Sequence, residues 1–335
     1  MSAEPDGAGP RSIEEVLLGG GRVWTRRDVA VRAGVRFERA VQVWRALGFP
    51  AVDDDARVFT DADVEALRAG ERLIAAGLVT EHSKTMMARA LGHHLSRLAD
   101  WQVDTLRDWL GRDEGPLPDR DALLEHMAAL LPEIERVQRY VWRRHLVAYA
   151  GHLLSEAQEE EEEAGPGAHV RDRAVGFTDM VGYTRMTRGL DGSELVDVLD
   201  RFETMTGDAV AEGRGQVVKT IGDEVLFVCD AAAGAADIGL ELAARAQADP
   251  KLPQVRTGLA YGPVIGRFGD VYGAAVNIAA RLTAVARPSS VLVDTALAGE
   301  LAGRAAYTLR ALRPVSVRGY SRLRPVLLRR GRAAS

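Results

Sequence analysis

Two aspartates set beside glycine turns are the residues of this chain best suited to chemistry. Asp223 lies in the stretch 215–229, where the apolar runs Val217-Val218 and Val225–Cys229 flank Gly222-Asp223. That order reads as strand, turn, strand. An aspartate at a hairpin tip is ordinarily turn chemistry. A second acidic turn raises it above that: Phe177-Thr178-Asp179-Met180-Val181-Gly182-Tyr183-Thr184, following the extended run Arg173–Phe177. Two carboxylates at strand ends next to a glycine turn could hold divalent metal over a polyphosphate. Asn277 and Arg281 stand four apart, hence on one face of a helix. An asparagine in an alanine-rich helix has no evident packing role.

These residues sit in a half of the chain whose pattern alternates strand and helix. Expected in order are strand Arg173–Phe177, helix Asp191–Ala211, the hairpin and helix Ala231–Ala248. Strand Val255–Ala260 comes next, then a break at Gly262, strand Val264–Phe268 and helix Val276–Ala284. Short strands at Ser290–Val293, Tyr307–Leu309 and Val315–Val317 finish it, with Pro325–Leu328 able to pair. Hairpins mixed with strand-helix-strand units imply an α+β fold, an antiparallel-rich sheet with helices on one face.

Four segments, in this order, resemble the catalytic domain of class III nucleotidyl cyclases. They are Phe-Thr-Asp-Met-Val-Gly-Tyr-Thr (177–184), Lys-Thr-Ile-Gly-Asp-Glu (219–224), Arg-Thr-Gly-Leu-Ala-Tyr-Gly-Pro-Val (256–264) and Gly-Asp-Val-Tyr-Gly-Ala-Ala-Val-Asn-Ile-Ala-Ala-Arg (269–281). The resemblance implies a ferredoxin-like βαββαβ catalytic domain over 170–330. It implies that Asp179 and Asp223, with the Met180 carbonyl, bind two Mg²⁺ or Mn²⁺ per site. It implies that Gly182, Tyr183 and Thr184 hold phosphate oxygens through their N–H groups. Lys219 and Asp270 match the base-selecting pair, Asn277 the ribose contact and Arg281 the stabiliser of transition-state charge. Arg318 stands where many members have lysine and is carried over as a triphosphate contact.

The Lys219/Asp270 pair suits adenine, which offers an acceptor at N1 and a donor at N6; guanine reverses that pattern. Lysine is rare here, three residues against forty arginines, so a compact point charge at 219 stands out. The resemblance therefore implies an adenylate cyclase: ATP to 3′,5′-cyclic AMP and pyrophosphate, as a homodimer whose sites each draw on both chains. Weighed beside it are a guanylate cyclase, a diguanylate cyclase, and a nucleotide-binding or DNA-binding regulator without catalysis. The diguanylate reading fails for want of a counterpart to Val276–Arg281.

The first half differs in chemistry. Residues 1–165 hold 21 Lys+Arg against 30 Asp+Glu, net −9, and residues 166–335 hold 22 against 18, net +4. All seven histidines and all five tryptophans precede residue 170. Residues 1–11 read as disordered and 161–169 as a linker; 12–160 are helical in pattern and resemble the regulatory domains found before actinobacterial-type soluble cyclases, which implies a regulatory or autoinhibitory role. Thr25 with Asp28 makes a capping box at the start of a helix-turn-helix-like segment, and Thr60 or Asp61 begins a later helix. Eight arginines against five acids in 21–60, with Asp53-Asp54-Asp55 among them, is a poor phosphate surface, so DNA is not the expected partner. A small-molecule or lipid regulator, or histidine titration, is the expected input. Tyr140–Leu154 is an apolar stripe long enough to pack on a partner helix. The run Glu159–Glu163 reads as a solvated helix end.

One cysteine excludes an intramolecular disulfide. No apolar stretch reaches membrane-spanning length, and the start lacks the layout of a signal peptide. The expected location is cytoplasmic. Eight arginines and no acid in 310–335 could meet phosphate, lipid or the acidic first half, the last being the plainest reading.

Overall fold

A computed structural model of the chain describes residues 12–111, 120–159, 170–267, 269–317 and 320–331. The expected disordered start, the linker 161–169 and Arg318 lie outside the described residues. The chain divides into two compact units, Met1–Ala164 and Gly165–Ser335.

The first unit is helical: α1 (Ile13–Leu18), α2 (Arg26–Ala33), α3 (Phe37–Ala46), α4 (Asp61–Ala75), α5 (Glu81–Gly111) and α6 (Arg120–Glu159). Thr25 caps α2 and forms the capping box with Asp28; Thr60 does the same for α4 with Asp63. Val29, Ala30, Ala40, Val43, Trp44, Phe59, Val64 and Leu67 make its small core. Lys84 is buried and ion-paired with Glu71, which also meets Arg39. The stripe expected at 140–154 belongs to α6, where Tyr140, Val141, Trp142, Leu146 and Val147 are exposed. No helix among the described residues is long and apolar enough to cross a membrane.

The second unit opens with β1 (Val170–Met180), α7 (Tyr183–Met186) and α8 (Gly192–Glu212). Next come β2 (Gln216–Ile221), β3 (Glu224–Cys229), α9 (Ala232–Ala248) and β4 (Val255–Arg267). The strands order β2-β3-β1-β4, every neighbour antiparallel. That is the ferredoxin-like βαββαβ arrangement, two interleaved split βαβ units. Beyond it follow β5 (Asp270–Tyr272), α10 (Ala274–Val285), β6 (Val291–Val293), α11 (Thr295–Glu300), β7 (Tyr307–Ala311), β8 (Val315–Val317), β9 (Tyr320–Leu323) and β10 (Val326–Arg330). β6, β10 and β7 extend the sheet past β4, and β8 pairs β9 in a separate hairpin.

Side chains alternate across a strand with period two, and β3 shows where each goes. Val225, Phe227 and Cys229 pack with Phe202 of α8 and Ile238 and Leu242 of α9. Leu226 and Val228 face the other way, with Val175, Phe177 and Ala275 and Ala279 of α10. Helices therefore cover both faces, not one as expected. This explains why β3 is a continuous apolar run rather than an alternating one. Each such buried Phe or Leu contributes on the order of 2 kcal/mol of transfer free energy. The break expected at Gly262 is absent: β4 pairs with β1 without interruption from Val255↔Met180 to Ile265↔Val170. The ladder's backbone bonds override the turn tendency of one glycine.

Two glycines set how closely the layers approach. A Cβ on Gly258 of β4 would lie 2.3 Å from the Thr283 nitrogen and 2.4 Å from the Ala279 oxygen, so α10 rests directly on the strand backbone. A Cβ on Gly176 of β1 would lie 2.2 Å from the ring of Phe227, the residue paired with it on β3.

Candidate active site

β1 and the β2–β3 hairpin bring the two aspartates together. The Met180 N–H donates to the Asp223 carbonyl at 3.0 Å, tying the end of β1 to the hairpin tip. Met180 itself is buried on the α8–α9 side. Asp179 is one residue earlier, so it shares a face with Phe177, towards α10. Burial raises the Asp223 carboxyl above its ordinary value, and the neighbouring Asp179 charge raises it further.

Sequence reasoning gave no role to two residues that flank Asp179. Glu224 is its partner across the β1–β3 ladder and Arg256 its partner across the β1–β4 ladder. Directly opposed residues project from the same face, so Glu224, Asp179 and Arg256 form a row. Arg256 Nε donates to Asp179 Oδ2 at 2.7 Å and Nη2 meets the same oxygen at 2.5 Å. Burial pushes Glu224 up to about 7, aided by the charges of Asp179 and Asp223. Both residues lie inside the quoted segments, but the strand register that aligns them is not written locally. An arginine at the same parity as Gly258 and Ala260 was the one available sign.

Lys219 and Asp270 also meet. Lys219 Nζ donates to Asp270 Oδ2 at 2.5 Å. Burial opposes ionisation of Asp270, but the bonds from Lys219 and from the Val271 N–H outweigh it and hold the carboxyl below its usual value. Gly182 caps α7, and the first-turn N–H groups of Tyr183 and Thr184 have no acceptor within that helix. The Tyr183 ring packs against the α8–α9 core, which anchors the turn.

Asn277 and Arg281 lie on α10 away from Ala275 and Ala279, the residues that face the sheet. Asn277 is exposed and Arg281 half-buried. No hydrogen bond or ion pair among the described residues joins either one to the Asp179 row. One chain thus assembles the aspartates in one place and presents Asn277 and Arg281 outward in another.

The donors at the aspartates are hard oxygens, two carboxylates and main-chain carbonyls, of the type that suits Mg²⁺ or Mn²⁺. Among the described residues no three His, Cys, Asp or Glu side chains are placed to hold a metal ion by themselves.

Comparison with known proteins agrees with this architecture. The family described as adenylate cyclase regulatory domain matches residues 12–113, and the adenylate and guanylate cyclase catalytic domain matches residues 168–329. An adenylate cyclase of Streptomyces coelicolor is 41% identical over 306 residues, covering 89% of this chain and 78% of the relative. An adenylate cyclase of Glutamicibacter nicotianae is 35% identical, covering 96% and 83%. A pH-sensitive adenylate cyclase of Mycobacterium tuberculosis is 32% identical, covering 80% and 67%. With the paired aspartates, the βαββαβ sheet and the preceding helical unit in place, the chain belongs to the adenylate cyclase family of class III nucleotidyl cyclases.

Proposed function

We propose that this protein is an adenylate cyclase converting ATP to 3′,5′-cyclic AMP and pyrophosphate, with the catalytic domain at 170–330 and a regulatory domain at 12–160. The observation that carries the reading is the convergence of Asp179 and Asp223, brought together where the N–H of the next residue, Met180, donates to the Asp223 carbonyl at 3.0 Å. Two like charges so placed are costly unless cations join them.

Asp179, Asp223 and the Met180 carbonyl would hold two Mg²⁺ or Mn²⁺ per site. When bound, the ions lower the pKa of the ribose 3′-hydroxyl and offset the triphosphate charge. In the reaction the 3′-hydroxyl gives up its proton to solvent and its oxygen bonds to the α-phosphorus as the bond to the pyrophosphate leaving group breaks. The N–H groups at Gly182, Tyr183 and Thr184 hold phosphate oxygens at the start of α7. Lys219 donates to adenine N1 and Asp270 accepts from N6, a pair already held in register by its own ion pair. Asn277 orients the ribose and Arg281 stabilises charge building on phosphorus. Arg318 contacts the triphosphate.

The outward position of Asn277 and Arg281 supports a site shared between two copies, one supplying the aspartates and the other α10. Because one chain carries every one of these residues, a homodimer has two equivalent sites. A cytoplasmic location fits ATP as substrate.

The test is turnover of ATP and GTP with Mn²⁺ by wild type and by Asp179→Ala. Cyclic AMP from wild type alone is expected; equal turnover by the variant would overturn the reading.

For regulation, the pH-sensitive mycobacterial relative and the confinement of histidines to residues before 170 support proton control of the helical unit. His93 and His94 on α5 lie edge to face, ring centroids 5.3 Å apart. Replacing both by glutamine in the full chain should flatten the activity–pH profile; an unchanged profile would count against these two as sensors.

A further inference from the structure

We infer that Arg256 is an internal counter-ion that a divalent cation displaces from Asp179, and that its departure loosens the C-terminal turn of α10. The inference rests on Asp179 being a cation ligand.

The Asp179 side chain is only 14% exposed, so solvent screens its charge weakly and a nearby cation must offset it. Its neighbours on the hairpin side, Asp223 and Glu224, are acids. Arg256 is the cation that pairs with it, and two of its nitrogens converge on the single oxygen Oδ2. A divalent ion on that oxygen would face the guanidinium at contact distance inside a partly dry site, where like charges repel strongly. One of them must leave. The hard, doubly charged ion is the better match for clustered carboxylates.

The third guanidinium nitrogen makes the departure matter elsewhere. Arg256 Nη1 donates to the Ala284 carbonyl at 3.1 Å. Ala284 is in the last turn of α10, whose final carbonyls have no donor within the helix. A cation at a helix C-terminus stabilises it, and α10 has no basic residue of its own in that turn. Arg256, reaching over from β4, fills that place. It thus clamps the strand end that carries Asp179 to the helix that carries Asn277 and Arg281. Occupation of the aspartates would release that clamp, so the helix could readjust when the site is loaded. A static role predicts otherwise: Arg256 would stay on both partners with the ion bound.

The experiment is Mn²⁺ titration of the full chain without nucleotide, followed by electron paramagnetic resonance. Wild type, Arg256→Gln, Arg256→Lys and Asp179→Asn are compared, with hydrogen exchange over residues 281–287. Arg256→Gln is expected to bind Mn²⁺ about tenfold tighter, the scale of one charge-assisted hydrogen bond removed. Arg256→Lys, which keeps the charge but loses the fork, should fall between, and it carries the test if the glutamine variant folds poorly. In wild type, Mn²⁺ should speed exchange at the end of α10; in Arg256→Gln, exchange should be fast already and indifferent to Mn²⁺. Equal or weaker Mn²⁺ binding by both arginine variants would overturn the inference, as would unchanged exchange in wild type on binding. Mn²⁺ binding by Asp179→Asn equal to that of wild type would instead remove the metal assignment beneath it, a distinguishable failure.

Discussion

Lys219 reaches Asp270 at 2.5 Å although three strands, β3, β1 and β4, separate β2 from β5 in the sheet. By register, Lys219 shares a row with Leu226, Phe177 and Gly258, whereas Asp270 pairs with Arg267, nine residues further along β4. On a flat sheet that offset alone would be about 30 Å. The β4–β5 arm must therefore curl back over the edge of the sheet. The ion pair fastens it there.

Breaking that fastening should act on base choice before anything else. Lys219→Glu combined with Asp270→Cys removes the charge pattern that complements adenine. The double variant is expected to lose about tenfold to a hundredfold in kcat/KM for ATP while its Mn²⁺ affinity is retained. Competition assays with ATP and GTP measure this, and an unchanged ATP preference would contradict the assigned contacts.

A shared site predicts complementation. Asp179→Ala chains and Arg281→Ala chains should each be inactive as homodimers. Mixed and allowed to exchange, half the dimers are hybrid and each hybrid keeps one intact site, giving about a quarter of wild-type activity. No recovery on mixing, with hybrids shown to form, would place the whole site within one chain.

Glu224 should make metal-free stability depend on pH. Its carboxyl is raised from 4.5 in the unfolded chain to about 7 in the fold. Between those values the unfolded chain gives up its proton while the folded protein keeps it, so stability falls as pH rises through that window and stays lower above it. Glu224→Gln removes the cost. Its thermal midpoint in EDTA should exceed that of wild type at pH 8, and the gap should close towards pH 4.5.

The seat of α10 on β4 can be tested by size. Gly258→Ala adds a methyl within 2.3 Å of the Thr283 backbone. The helix must lift, at about 3 kcal/mol, and Asn277 and Arg281 move with it. Chemical denaturation and kcat should fall together; a variant with wild-type stability would show that the layers are looser than the structure has them.

The βαββαβ order and the positions of Asp179, Asp223, Asn277 and Arg281 were open to sequence reasoning because each rests on local signals. Those signals are period-two runs, a glycine turn and a four-residue helical repeat. The Glu224–Asp179–Arg256 row was not, because it depends on how three strands distant in sequence slide into register. Gly262 misled for a related reason: a glycine favours a turn only when no neighbouring strand claims its backbone groups. The placement of α10 on the far face was hidden too, since a fully apolar strand looks the same whichever side its helices take. That Lys219 and Asp270 meet was not legible locally either, because their contact depends on the curl of the β4–β5 arm.

The notch at Gly176 bears on fidelity of assembly. The Phe227 ring fills the space that a side chain there would occupy, so β1 and β3 engage like a tooth in a gap. Sliding β1 by one residue would set Val175 or Phe177 against that ring and turn the Asp179 carboxylate into the oily layer around Phe202. A misaligned chain would thus be unable to close its core, and few copies could exist that are folded yet catalytically blank.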